Sequence, residues 1–222
     1  MTSKLEVCCA DIESVMAANA GGADRIELCT ALEVGGLTPS IALITTALQH
    51  SKIPVRVLIR ARPGNFTYSP LELQVMCRDI ATCRSLGVDG VVIGALTPGG
   101  AIDTDACKSM IEEAGGMSVT FHRAFDECTD AHEALDKIIA IGCDTLLTSG
   151  QKATALEGLP LISELVHQSN GRIHIMAGSG VNPANAAEIL NTSGCPWIHG
   201  SARNGAFTSS QIVSQLSKLV HA

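Results

Sequence analysis

The chain has 222 residues, of which 46% are hydrophobic, 3% aromatic and 17% charged, with a formal net charge of -7. Apolar content this high with so little charge excludes a disordered chain, and the acidic balance excludes a dedicated nucleic-acid binder, which carries a basic face. No uninterrupted apolar run reaches the roughly 18 residues of a membrane span, so no membrane partner is expected.

The first residues, Met1-Thr2-Ser3-Lys4-Leu5-Glu6, contain no apolar leader, which predicts no secretory signal. Short apolar runs at 5–9, 25–28, 55–59, 90–93, 119–121, 145–147, 173–177 and 197–199 predict eight strands. Helical periodicity follows them at 11–19, 39–49, 70–86, 104–113, 131–141, 159–168, 183–190 and 209–220. Ser40 after Thr38-Pro39, the pair Ser69-Pro70 and the pair Asn182-Pro183 supply helix starts. Gly22, Gly87, Gly115, Gly142 and Gly171 supply helix ends. No Ser/Gly/Pro-rich linker or charge block interrupts the pattern, so a single domain over 1–222 is expected. Eight alternating units predict an α/β fold of the (β/α)8 TIM-barrel type. A doubly wound sheet would show Gly-x-Gly-x-x-Gly after its first strand, where Cys8-Cys9-Ala10-Asp11 stands instead.

In a barrel, alternate strand residues face the interior and the others face the helices. Placing Val7, Cys9, Ile26, Leu28, Val55, Val57, Ile59, Val119 and Phe121 on the helix side turns a polar set inward. That set comprises Glu6 and Cys8 of strand one, Arg25, Glu27 and Cys29 of strand two, and Arg56 and Arg60 of strand three, with Leu58 between them. Strand five adds Thr120 and His122, strand seven His174 and Met176, and strand eight His199. Branched apolar residues are the rule there, so these charges require ion pairs or a solvated mouth. An internal Glu–Arg network would satisfy that need by itself. Active sites of this fold lie at the strand C-termini, which favours a functional site.

Several strand ends carry chemistry. Gly178 and Gly180 follow strand seven, and Ser201 and Arg203 follow strand eight, where barrels commonly bind phosphate. Tight turns alone account for the same glycines. Arg60 and Arg62 add positive charge after strand three. His122, oriented by Asp126 or Glu27, is a candidate general acid or base, or one half of a pair that only orders its loop. Lys152 lies past a glycine turn and is expected in solvent, which argues against Schiff-base chemistry.

Nine cysteines, an odd number without any Cys-x-x-Cys, fit free thiols in a reducing cytoplasm better than a disulfide framework or a structural zinc site. Cys8 and Cys29, inward near the ends of neighbouring strands, have the softness and placement for Cu(I). As small core residues they need no metal at all.

Glu6-Val7-Cys8-Cys9, Gly22-Ala23-Asp24-Arg25-Ile26-Glu27-Leu28-Cys29, Gly35-Gly36-Leu37-Thr38-Pro39-Ser40 and Thr120-Phe121-His122-Arg123-Ala124-Phe125-Asp126 resemble the CutC family, named for copper homeostasis. Leu147-Thr148-Ser149-Gly150, Ala155-Leu156-Glu157-Gly158 and His199-Gly200-Ser201-Ala202 extend the resemblance over nearly the whole chain. It implies a TIM-type barrel, a cytoplasmic setting, a homo-oligomer (dimer or tetramer) and a role in copper handling, with Cys8 and Cys29 as the Cu(I) ligands. The chain departs from the family pattern in the loop Arg60-Ala61-Arg62-Pro63-Gly64-Asn65-Phe66, where Asn65 replaces an aspartate and Pro63 is introduced. Gly200 stands where the family often has Ser or Cys.

Two functions are therefore expected as alternatives. One is a copper homeostasis protein that binds Cu(I) through Cys8 and Cys29 at the barrel mouth. The other is a barrel enzyme acting on a small anionic or phosphorylated metabolite. It would bind substrate with Arg60, Arg62, Gly178, Gly180, Ser201 and Arg203, and move protons with Glu6, Glu27 and His122.

Overall fold

The computed structural model of the chain describes residues 3–222. Eight parallel strands pair in sequence order and β8 returns to β1, closing the barrel. The strands are β1 (Lys4–Cys9), β2 (Arg25–Leu28), β3 (Val55–Leu58), β4 (Gly90–Ile93), β5 (Ser118–Phe121), β6 (Thr145–Thr148), β7 (His174–Gly178) and β8 (Trp197–Gly200). The helices are α1 (Ile12–Gly21), α2 (Ile41–His50), α3 (Pro70–Ser85), α4 (Thr104–Ala114), α5 (Ala131–Ala140), α6 (Leu159–Ser169), α7 (Ala186–Ser193) and α8 (Ser210–Val220). This is a (β/α)8 TIM barrel.

Local chemistry explains where the helices begin. The Asp11 carboxylate accepts the Ser14 N–H at 2.7 Å and opens α1. Ser69 and Glu72 form a reciprocal capping box at the start of α3, with Pro70 in the first turn. At α7 the expected start at Pro183 moves to Ala186. Asn182 accepts the Ala184 N–H through its own side chain at 2.9 Å, and the Asn185 side chain accepts the Asn182 N–H at 2.8 Å. These side chains compete with the helical ladder and hold a turn ahead of the helix.

Two 3-10 turns, Leu32–Val34 and Arg123–Glu127, and a hairpin of β9 (Arg203–Asn204) with β10 (Phe207–Thr208) add to the expected elements. Segments this short have no hydrophobic period to read.

Strand parity divides the core as expected. Val7, Cys9, Ile26, Leu28, Val55, Val57, Ile59, Val119 and Phe121 join one continuous apolar layer beneath the helices. Inside the barrel, Cys8, Cys29, Leu58 and Val92 form a small separate cluster, and Leu147, Met176 and Trp197 another. His174 departs from the expected interior. As the first residue of β7 it sits at the strand's N-terminal end and is exposed.

Candidate functional site

Register decides which inward residues meet. Glu6 pairs with Arg25 on β2 and with His199 on β8, so the three side chains share one side of the sheet. The fully buried Glu6 carboxylate accepts from Arg25 Nε and, at 2.8 Å, from His199 Nδ1. Burial by itself raises the Glu6 carboxyl, but Arg25 and His199 outweigh it and hold it at about 2. The Arg25 guanidinium also stacks on the Trp197 ring, 4.0 Å from its centroid. Arg56 donates to Thr120 at 2.5 Å and to Thr145 at 3.3 Å, and meets Asp144 at 2.8 Å. Three of the interior's charged side chains, Glu6, Arg25 and Arg56, are thus paired in a structural network.

One step nearer the mouth, Cys8 pairs in register with Glu27. The Cys8 sulfur, a Glu27 carboxylate oxygen and a ring nitrogen of His199 all lie within 4.8 Å of one another. Burial opposes a charged imidazole at His199, yet Glu27, Cys8 and Glu6 push its pKa well above the histidine range. The Glu27 carboxyl is pushed up by burial and by the charge of Glu6. The Cys8 thiol is pushed up by its hydrogen bond with Cys29 and by burial. Cys29, fully buried beside it, donates to the Cys9 carbonyl at 3.6 Å.

Cys8, Glu27, Cys29 and His199 line a cavity of about 730 Å³ at the C-terminal end of the barrel, together with Arg60, His122, Gly180, Ser201 and Arg203, while Glu6 is outside its lining. His122 is held by β5 and the 3-10 turn that follows. Its Nδ1 accepts the Ala124 N–H at 3.1 Å. Burial, with Arg60 nearby, lowers its pKa to about 3. Neither Asp126 nor Glu27 bonds the ring. Asp126 instead gathers Thr148, Ser149, Gln151 and Arg123 into a clamp on the loop after β6.

The remaining expected residues divide. Arg62 lies outside the cavity lining, paired with Glu72 at 2.5 Å and donating to the Asn65 and Thr67 carbonyls. Asn65 accepts from Arg62 through its side-chain oxygen at 3.2 Å, so this amide fills part of an acceptor's place in the loop. Gly178 makes room between strands, since a Cβ there would stand 2.6 Å from Leu147 and 3.3 Å from the His199 Cβ. Arg203 reaches the Ala206 carbonyl within the β9–β10 hairpin. Lys152 is exposed at the cavity rim. His199, which joins Cys8 and Glu27 here, is absent from the residues expected at the site; its inward parity on strand eight was the available signal.

Fold and site together define a (β/α)8 barrel with a polar, thiol-bearing site at its C-terminal mouth. The CutC family profile matches residues 3–204, and the chain belongs to the CutC family. A CutC family protein of Glaesserella parasuis serovar 5 is 50% identical over 200 residues, spanning 90% of this chain and 82% of its own. One from Bacteroides fragilis is 50% identical over 201 residues, spanning 89% and 79%. The crystal structure of a candidate copper homeostasis protein, CutC of Streptococcus agalactiae, superposes with a TM-score of 0.86 at 34% identity, covering 90% of this chain and 98% of that one. A thiamine phosphate pyrophosphorylase from Pyrococcus furiosus, at 20% identity and a TM-score of 0.68 over 99% and 96% of the two chains, shares the fold.

Proposed function

We propose that this chain serves copper homeostasis by binding Cu(I) through Cys8 and Cys29. The observation that carries the reading is the side-by-side burial of these two sulfurs among Leu58 and Val92, at the base of a mouth open to solvent. Two thiolates in an apolar shell suit a soft, low-coordinate ion, and the remaining donors near Cys8, a carboxylate and an imidazole, suit harder or borderline ions. Membership of the CutC family and the likeness to the Streptococcus agalactiae protein support the copper role. The reading includes a reducing, cytoplasmic setting, which fits an odd number of scattered cysteines without a Cys-x-x-Cys. Among the described residues no helix is long and apolar enough to cross a membrane. Leu71 and Val75, exposed four residues apart on α3, support a homo-oligomer.

Anaerobic titration with Cu(I) against a chromophoric competitor tests the reading. About one Cu(I) per chain is expected, with tight binding abolished in the Cys8→Ser/Cys29→Ser double variant. Unchanged stoichiometry in that variant would remove the proposal.

A further inference from the structure

The interior charges are paired with one conspicuous exception. Arg60 is 6% exposed, and among the described residues no carboxylate lies within ion-pair distance of it. Its terminal nitrogens donate to three backbone carbonyls: Val34 at 2.9 Å, Gly36 at 3.0 Å and Gly64 at 2.8 Å. Those bonds fix the guanidinium but leave its charge uncompensated. Nε, a buried donor, and the hydroxyl of Tyr68, a neighbour of the guanidinium, are likewise left without a partner. A buried cation without a counter-ion is costly, and so is an unmet donor.

A further unmet donor stands in the same corner. His122 is 5% exposed, and its Nε2 has no partner. Because Nδ1 accepts the Ala124 N–H, the proton of the neutral ring must sit on Nε2. The lowered pKa of His122 keeps the ring neutral, so it acts as a single fixed donor. The Phe66 ring lies against both side chains, 4.8 Å from the Arg60 guanidinium carbon and 5.0 Å from the His122 ring centre. All three line the open cavity.

The backbone is shaped to keep this arrangement. Gly35 and Gly36 both adopt φ of +87°, in the left-handed region, and a Cβ on Gly35 would stand 3.1 Å from the Arg60 guanidinium. A Cβ at Gly94 would stand 2.5 Å from the His122 ring.

We infer that the corner formed by Arg60, Phe66 and His122 is a subsite for the anionic oxygens of a small molecule, a carboxylate or a phosphate monoester. One buried cation and one neutral N–H match an oxyanion, to which charged donors bind more strongly than neutral ones. The corner belongs to the ends of β3 and β5, away from the loops after β7 and β8 where barrels commonly hold phosphate. It assigns His122 to ligand binding as a donor. The remainder of the ligand would occupy the cavity shared with Cys8, Glu27 and His199. The inference stands apart from the copper reading, because neither Arg60 nor His122 offers a thiolate.

Nitrogen-15-labelled full-length protein gives a direct test, with the Arg60 Nε–H and His122 Nε2–H resonances as reporters. Titrations use inorganic phosphate and malonate separately, each at constant ionic strength set with sodium chloride. Saturable shifts of both resonances are expected with at least one anion. The tighter of the two identifies the phosphoryl or the carboxylate class.

His122→Phe should weaken that anion about tenfold, read at Arg60 Nε–H, while His122→Gln, which keeps an N–H donor, should lose less. Arg60→Lys keeps a cation but lacks the Nε donor and should weaken binding as well, read at His122 Nε2–H. Resonances that stay still up to about 50 mM of either anion, or equal affinity in wild type and His122→Phe, would overturn the inference.

Discussion

At the residue scale, Glu6 and His122 are both buried and inward, yet they face opposite electrostatic situations. Glu6 is held between Arg25 and His199, and removing its charge would leave Arg25 buried without its counter-ion. Glu6→Gln should therefore destabilise the fold by about 3–5 kcal/mol, read as a shift of the urea midpoint. A midpoint close to wild type would mean that the pair contributes little.

His122 meets burial and Arg60 rather than a carboxylate, and its pKa falls from 6.5 to about 3. Between those values the unfolded chain takes up a proton that the folded chain refuses. Stability should then decline as pH falls through that window, by up to about 1.4 kcal/mol per pH unit. Glu6 acts in the same direction, but only between its ordinary 4.5 and about 2. His199 acts oppositely: its raised pKa gives stability that is complete below 6.5 and is lost as pH rises through the folded-state value. Urea unfolding of wild type and His122→Phe between about pH 5 and 6.5 isolates the His122 contribution, because Glu6 is ionised in both states there. The variant should show the shallower slope; parallel slopes would contradict a neutral His122.

At the scale of single elements, glycines and caps set the positions that the site requires. Gly94, the residue after β4, leaves room for the His122 ring. Gly94→Ala should destabilise by about 1–3 kcal/mol through overpacking and should shift the His122 imidazole resonances. An unperturbed ring would show that the glycine serves another purpose. The α3 capping box is a milder case on the surface, and Ser69→Ala should lower stability by about 1 kcal/mol in thermal or urea unfolding. The start at Ser69-Pro70 was legible because the two residues are neighbours in sequence, whereas the reciprocal bond from Glu72 came from the structure. The Asn182–Asn185 turn before α7 was not legible, because two asparagine side chains bond to nearby backbone and displace the start that Pro183 signals.

At the scale of the whole molecule, the barrel pairs Glu6 with Arg25 in its interior and Glu27 with His199 nearer the mouth, and leaves Arg60 at the mouth without a carboxylate. Outside, Leu71 and Val75 leave an apolar stripe on α3 uncovered. Light scattering on the eluting protein should report a dimer or tetramer, and Leu71→Lys/Val75→Lys should lower its mass. A wild-type monomer would contradict that expectation.

The sequence by itself determined the alternation of strands and helices, the family and the inward set that includes Glu6, Cys8, Glu27, Cys29, Arg60, His122 and His199. Those features rest on periods of two and of about four residues and on contiguous motifs, which are local and can be read directly. Only the tertiary structure decided which members of that set meet. Glu6 and His199 bond across 193 residues of chain, through a closure of β8 on β1 that no local pattern specifies. Arg25 finds a carboxylate and Arg60 finds only carbonyls, although parity treats the two arginines alike. Arg62, two residues beyond Arg60, leaves the site for Glu72. Pairing is a property of register and barrel closure, and it is what separates the charges that fill this interior from those left for a ligand.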